Sequence, residues 1–188
     1  IVADQDTVLI TKTHDPKSRP DAAAFSANRM IVIARNPIDV IPSFAYLVNL
    51  NSHSLESKEQ LHTDLPELWQ GWVRGIVQEM KESHEFVSSQ MAEQVPTFFI
   101  RFEDLRLNPR PVLLDLFKFI LNVNTLEGTR IEKYIELACQ EKAPEVYKPR
   151  KGKVNNNVAK FKPEHLEYMY NYARDLIDRF GYTQLFQT

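Results

Sequence analysis

Arg35 and Ser43 are the pair of residues whose types and spacing most directly suggest chemistry. Arg35 ends an apolar run, Asn36-Pro37 follows, and Ser43 lies farther along a helix-like stretch. The planar guanidinium group presents donors suited to phosphate, and a helix beginning at Asn36-Pro37 adds its positive dipole end. Asn36, Asp39 and Ser43 share roughly one helical face, so the hydroxyl is expected to face the same volume. The pair therefore predicts an anion site; the alternative is an Arg35–Asp39 ion pair with Ser43 as a small packing residue.

Lys12 and His14, in the segment "KTH", form a second candidate. They follow the apolar run "TVLI" at 7–10, so they are expected at the end of a strand. A histidine there suits a general base, because its pKa lies near neutrality, and a lysine beside it suits developing negative charge. The alternative is a pair of solvated side chains on a surface loop.

The basic segment "PRKGK" at 149–153 is a third candidate. Arg150 and Lys151 are cationic, and Gly152 lets backbone N–H groups approach an anion closely. Phe102 follows a predicted strand, where its ring is placed to stack on a base. The alternatives are a solvated basic loop and a core aromatic residue.

Strands that alternate with helices must position these residues. "MIVIA" (30–34) and "TFFI" (97–100) are predicted strands, and their apolar character is typical of a parallel sheet covered on both faces. Asn36-Pro37 and Asn108-Pro109 each predict a helix start. The pattern predicts an α/β layered fold with a mainly parallel central sheet flanked by helices, in which ligands sit beyond the carboxyl ends of strands.

The remaining segments are predicted to be helices and connecting loops. A loop is expected at 49–64, a basic loop at 148–161, and a helix at 130–140. Amphipathic helices are expected where apolar residues recur at helical spacing. One such stripe consists of Leu65, Leu68, Trp69, Trp72, Val73, Ile76 and Met80, and a second consists of Leu113, Leu116, Phe117, Ile120 and Leu121. Residues 162–182 are predicted to form one final helix with Gly181 at its end. Trp69 and Trp72 are interpreted as core, with an acceptor pocket as the alternative.

The composition limits the classes of function. The chain of 188 residues has 43% hydrophobic and 26% charged residues, which suits one soluble domain spanning 1–188. A net charge of −2 gives no general attraction to nucleic acid, and the sequence contains no membrane-spanning apolar run. Cys139 is the only cysteine, so the sequence is compatible with a reducing compartment, and the cytoplasm is favoured. His53, His62, His84 and His165 show no metal-ligand spacing and are expected to be solvated.

The order of these segments resembles the sulfotransferases that use 3′-phosphoadenosine 5′-phosphosulfate (PAPS). "KTH", "RNPIDVIPS", "RFEDL" followed by "NP", and "RKG" stand in the order that this family shows, and the resemblance runs from about residue 7 to the end. It implies a P-loop-NTPase-like fold. It also implies transfer of a sulfuryl group from PAPS to a hydroxyl or amine acceptor, with adenosine 3′,5′-bisphosphate as the product and no metal.

The resemblance also implies roles for individual residues. The cofactor's 3′-phosphate would be bound by Arg35, Ser43, Arg150, Lys151 and Gly152. Phe102 matches a position, usually Tyr, beside the adenine. His14 matches the catalytic base, and Lys12 matches a lysine near the transferring group.

Two departures from the family pattern leave alternatives open. The family's glycine-containing loop, which grips the 5′-phosphosulfate, should precede "KTH", yet none of the first 11 residues is glycine. "DPKSRPD" at 15–21 stands on the wrong side of "KTH", so it is not that loop. A preceding segment or another chain is therefore expected to supply the loop and cover the sheet edge. The alternative is a catalytically inactive, structural subunit of an assembly. In addition, Asn155, Asn156 and Asn157 replace Gly-Asp-Trp-like residues after "RKG".

Overall fold

The computed structural model describes residues 27–50, 60–140 and 157–187, together with Val8, Ile10 and Lys12. In these ranges the strands are β1 (Met30–Ala34) and β2 (Thr97–Arg101). The α-helices are α1 (Pro37–Leu50), α2 (Leu61–Asp64), α3 (Pro66–Phe86), α4 (Phe102–Leu107), α5 (Pro109–Leu121), α6 (Arg130–Gln140), α7 (Pro163–Tyr172) and α8 (Arg174–Arg179). A π-helical turn, Val87–Met91, extends α3, and short 3₁₀ helices cover Val158–Lys160 and Thr183–Leu185.

The two strands pair in parallel, which confirms the predicted α/β fold class. Met30 pairs with Thr97 and Ala34 with Arg101, so both strands end at the same level. Arg35 and Phe102 are the next residues, and they therefore leave the sheet together at its carboxyl edge. The apolar sequence of β1 predicts a strand that is covered on both faces. Ile33 is 58% exposed, so one face of β1 is not covered at this position.

The core lies where α1 and α3 pack against the last two helices. Its fully buried side chains combine branched aliphatic residues with a few large aromatic ones: Ile38, Ile41, Trp69, Val73, Val77, Met169, Ile177 and Tyr182. The Trp69 ring lies 5.3 Å from the ring of Phe161, which follows a 3₁₀ turn. The core therefore draws together residues from both halves of the chain.

The predicted stripe of α3 is only partly buried. Trp69 and Val73 are 1% exposed, whereas Leu65 and Leu68, at the beginning of the stripe, are 44% and 41% exposed. The helix begins at Pro66, so its inward face is defined by residues from Trp69 onward. Trp69 is thus a core residue, as the preferred interpretation of the sequence predicts.

Replacing Trp69 with alanine is expected to lower the free energy of unfolding by about 3–5 kcal/mol, because it leaves a large cavity among packed side chains. Leu68→Ala is the matched control, since Leu68 is the preceding residue on the same helix and is 41% exposed. Urea unfolding followed by circular dichroism measures both variants. Similar losses for the two would contradict the assignment of Trp69 to the core.

Several predicted elements differ in detail. The final helix is two, because the backbone at Ala173 leaves helical geometry (φ −118°, ψ 33°) with no glycine or proline to mark the break. Gly181 does follow the end of α8 in the left-handed region (φ 66°), where glycine is favoured. Residues 61–64, predicted as loop, form α2. The predicted apolar face of α5 contains no fully buried residue, so it is half-covered.

The remaining differences concern short segments. α4 begins at Phe102, directly after β2, where no residue pattern predicts a helix. Val8 and Ile10 are not in a strand, and the other two residues of the predicted strand 7–10 lie outside the described residues. Residues 148–156 of the predicted basic loop also lie outside them. Within the described ranges, no helix is both long and apolar enough to cross a membrane.

Candidate anion-binding site

Arg35 and Phe102 meet at the carboxyl edge of the sheet. The guanidinium carbon of Arg35 lies 4.5 Å from the centre of the Phe102 ring, which places the cation over the aromatic face. Arg35 Nε is buried and has no hydrogen-bond partner in the described part of the chain. No ion pair joins Arg35 to a carboxylate within that part. An arginine held in this way has donors available for an anionic ligand.

Asp39, the alternative partner of Arg35, is engaged elsewhere. It is 1% exposed, and its carboxylate accepts hydrogen bonds from the side-chain amides of Asn36 (3.1 Å) and Asn157 (2.8 Å). Asn36 Oδ1 in turn accepts the backbone N–H of Asp39 at 2.8 Å, which is the N-cap bond that the sequence predicts. The amide of Asn36 thus ties the first turn of α1 together.

Glu103 directly follows Phe102 in the chain and is 2% exposed. Its Oε1 accepts both the backbone N–H of Asn36 (3.1 Å) and the Asn36 side-chain amide (2.7 Å). Its Oε2 accepts the hydroxyl of Tyr182 at 2.7 Å. We refer to Asn36, Asp39, Glu103, Asn157 and Tyr182 as the polar hub. Both oxygens of the buried carboxylate are satisfied by donors from two distant segments.

Tyr182 is almost fully buried, with 1% of its surface exposed. Burial, followed by its hydrogen bond to the Glu103 carboxylate, raises the pKa of the Tyr182 phenol well above its usual value. The phenol therefore remains a hydrogen-bond donor at all working pH values. Arg101 is the last residue of β2, and its guanidinium carbon lies 5.0 Å from the centre of the Tyr182 ring.

Ser43 occupies a different environment from the residues with which it shares a predicted face. It lies within α1 and is exposed, whereas Asn36 and Asp39 are buried. None of the hydrogen bonds found among the described residues joins Ser43 to Arg35. The participation of Ser43 in one anion site with Arg35 therefore stays a prediction.

The other predicted site residues are described only in part. Lys12 is exposed. His14, Arg150, Lys151 and Gly152 lie outside the described residues. Asn157, which stands in the stretch where Gly-Asp-Trp-like residues were expected, belongs to the polar hub through its bond to Asp39.

Sequence reasoning missed Glu103 and Tyr182. Glu103 is part of the "RFEDL" segment, and an acidic residue two positions after the end of a strand was a signal that a donor must meet it. Its partners are 67 and 79 residues away in sequence, so no local pattern identifies them.

The histidines that the structure describes are less solvated than predicted. His165 is 8% exposed, and its Nδ1 accepts the Lys162 N–H at 3.3 Å. The ring of His84 packs edge-on against Phe99 (6.4 Å) and Phe180 (5.5 Å), and that of His62 packs against Trp69 (6.0 Å). Their apolar partners come from other elements, which explains why the sequence did not reveal them.

Acidification is expected to destabilise the fold through these histidines. Burial, aided by the Arg179 charge, lowers the pKa of His84, and burial also lowers the pKa of His165. The unfolded chain, with a histidine pKa of about 6.5, then binds more protons than the folded one. The contribution of these histidines to the free energy of unfolding is fully present above about pH 6.5, and it is lost as the pH falls through 6.5 toward their pKa values in the folded protein. Urea midpoints measured between about pH 7.5 and 5.5 should decline, and less so in His84→Gln; an equal decline in that variant would exclude His84 as a cause.

No group of three or more histidine, cysteine or acidic side chains is arranged to hold a metal ion within the described ranges. The positively charged donors of Arg35 and the Phe102 ring suit an anion attached to a planar ring system. Parallel strands that deliver such residues to their carboxyl edge are typical of nucleotide-binding α/β proteins.

The chain belongs to the sulfotransferase domain family, whose model matches residues 2–181. The predicted family is thereby confirmed, and the P-loop-like layered fold of that domain agrees with the parallel strand pair described above. No curated protein and no solved structure matches the chain significantly.

Proposed function

We propose that this protein transfers a sulfuryl group from PAPS to a hydroxyl or amine acceptor. The observation that carries the proposal is the Arg35 guanidinium, which lies 4.5 Å over Phe102 with a buried Nε that has no partner in the described part of the chain. In a member of the sulfotransferase family, that donor fits the nucleotide's phosphate. The neighbouring ring fits its base.

Different residues of the chain bind the 3′-phosphate and the adenine of the nucleotide. Arg35 and Ser43 hold the 3′-phosphate, and Arg150, Lys151 and Gly152 complete its surroundings. Phe102 lies beside the adenine, where an aromatic face without a hydroxyl group contributes stacking alone. These residues orient the nucleotide, and such positioning supplies much of the rate in group transfer.

When bound, the nucleotide supplies a sulfuryl group attached to a phosphate leaving group. The His14 imidazole accepts the proton of the acceptor hydroxyl or amine as the acceptor atom bonds to sulfur. The Lys12 ammonium stabilises the negative charge that develops on the departing phosphate oxygen. The proposal also requires donors that hold the 5′-phosphosulfate, and residues 1–11 contain none of the glycines that let backbone N–H groups approach a phosphate closely.

Two measurements on the full-length protein test the proposal. Calorimetric titration with adenosine 3′,5′-bisphosphate should show tighter binding than titration with adenosine 5′-monophosphate, which lacks the 3′-phosphate. Sulfur-labelled PAPS, offered with phenolic, steroid, sugar, peptide and amine acceptors, should yield labelled product. Equal affinity for the two nucleotides would overturn the proposal. Binding without any transfer would support the inactive, structural member of the family instead.

A further inference from the structure

The two residues that face the proposed nucleotide are each followed by a buried polar residue. Asn36 follows Arg35, Glu103 follows Phe102, and they are 0% and 2% exposed. Two hydrogen bonds, of 2.7 and 3.1 Å, join them through the same carboxylate oxygen. The structure therefore links the ends of β1 and β2 just beyond the last paired residues, Ala34 and Arg101.

We propose that Glu103 is a positioning residue, which fixes the Arg35 guanidinium over Phe102 and so sets recognition of the nucleotide's 3′-phosphate. This inference rests on the proposed function. Nothing in the role of Glu103 requires contact with the nucleotide, since its side chain is buried and both its oxygens accept hydrogen bonds within the protein.

The bond to the backbone of Asn36 gives Glu103 control over Arg35. The N–H that donates to Glu103 belongs to the peptide unit joining Arg35 to Asn36, so the carboxylate fixes the orientation of that unit. Because the arginine side chain is long, a small rotation at its backbone displaces the guanidinium group much farther than it displaces the backbone atoms. Bidentate recognition of phosphate depends on the placement of that group.

Tyr182 holds the carboxylate from the opposite side. Its hydroxyl bonds to Oε2 at 2.7 Å, which leaves Oε1 for Asn36. Loss of the carboxylate would remove the acceptor of three buried hydrogen bonds, two donated by Asn36 and one by Tyr182. Because unsatisfied buried donors are costly, the chain would move to find water or new partners, and Arg35 would move with Asn36.

A ratio of two affinities separates positioning from a general loss of stability. The ratio is the Kd for adenosine 5′-monophosphate divided by the Kd for adenosine 3′,5′-bisphosphate, measured by calorimetry on folded full-length protein. Glu103→Leu is expected to lower this ratio about tenfold or more, because only the 3′-phosphate depends on Arg35. If the role of Glu103 were purely structural, its loss would weaken the binding of both nucleotides by the same factor and leave the ratio unchanged.

Three further variants make the test specific. Glu103→Asp keeps the charge but is one methylene shorter, so it should also lower the ratio. This variant replaces Glu103→Leu in the measurement if Glu103→Leu does not fold. Glu103→Gln retains an acceptor for Asn36 and puts an amide N–H donor where Oε2 accepted the Tyr182 hydroxyl, with the Tyr182 oxygen as its acceptor, so its ratio should stay within about threefold of the original. Tyr182→Phe leaves both bonds to Asn36 in place and should likewise preserve the ratio.

The outcomes distinguish this inference from the proposed function. If the unaltered protein shows no preference for the 3′-phosphate, the proposed function fails. If it shows the preference and both Glu103→Asp and Glu103→Leu retain it, positioning by Glu103 is wrong while the proposed function stands.

Discussion

Arg35→Ala is expected to raise the Kd for adenosine 3′,5′-bisphosphate by about 100-fold or more, because it removes a charged, two-pronged donor from a phosphate that carries more than one negative charge. The side chain makes no ion pair with the described carboxylates, so its removal leaves no buried acid uncompensated. The fold should consequently survive, and calorimetric titration can measure the loss directly.

Arg29→Ala is the matched control for this experiment. Arg29 precedes β1, whereas Arg35 follows it, and its guanidinium carbon also lies over a phenylalanine ring, 5.2 Å from the centre of Phe119. The two variants therefore remove the same type of cation–π contact at opposite ends of one strand. Arg29→Ala should leave nucleotide affinity nearly unchanged, and an equal loss in both variants would mean that Arg35 acts through the fold and not through the phosphate.

His14→Ala is expected to lower turnover with PAPS by about 10²–10⁴-fold while changing nucleotide affinity little, because a general base acts on the acceptor proton and not on the bound phosphate. Steady-state kinetics on the full-length protein give turnover, and titration with adenosine 3′,5′-bisphosphate gives affinity. His53→Ala is the control, since it removes a histidine that lies outside the motifs "KTH", "RNPIDVIPS", "RFEDL" and "RKG". Unchanged turnover in His14→Ala would exclude the role of base.

The sequence predicts well the elements that are defined by local signals. β1 and β2 are short branched or aromatic runs, and α1 begins where Asn36 and Pro37 combine a capping amide with a fixed backbone angle. Such signals depend on neighbouring residues, so they are readable without a structure. Arg35 and Phe102 were placed at one sheet edge by the same reasoning, since parallel strands present their carboxyl ends together.

Features that depend on distant partners were not predictable. The break between α7 and α8 falls at Ala173, a good helix former that is 2% exposed, so tertiary packing overrides its local preference. His84 was expected in solvent because its own helix neighbours are polar, while Phe99 and Phe180, which cover it, come from other elements. Glu103 escaped notice for a related reason, since its function follows from which donors surround it.

The spacing of the polar hub along the chain has a consequence for how the protein folds. Its long-range hydrogen bonds span 67, 79 and 118 residues, whereas most helical contacts span only a few. Contacts between remote residues form late, because long loops must close before they contribute, and they slow folding. Helices can form early, but a nascent chain that lacks Tyr182 has not yet completed the surroundings of Arg35. Nucleotide binding should thus report the fully assembled state, and added nucleotide should stabilise that state by an amount that rises with the logarithm of its concentration above Kd.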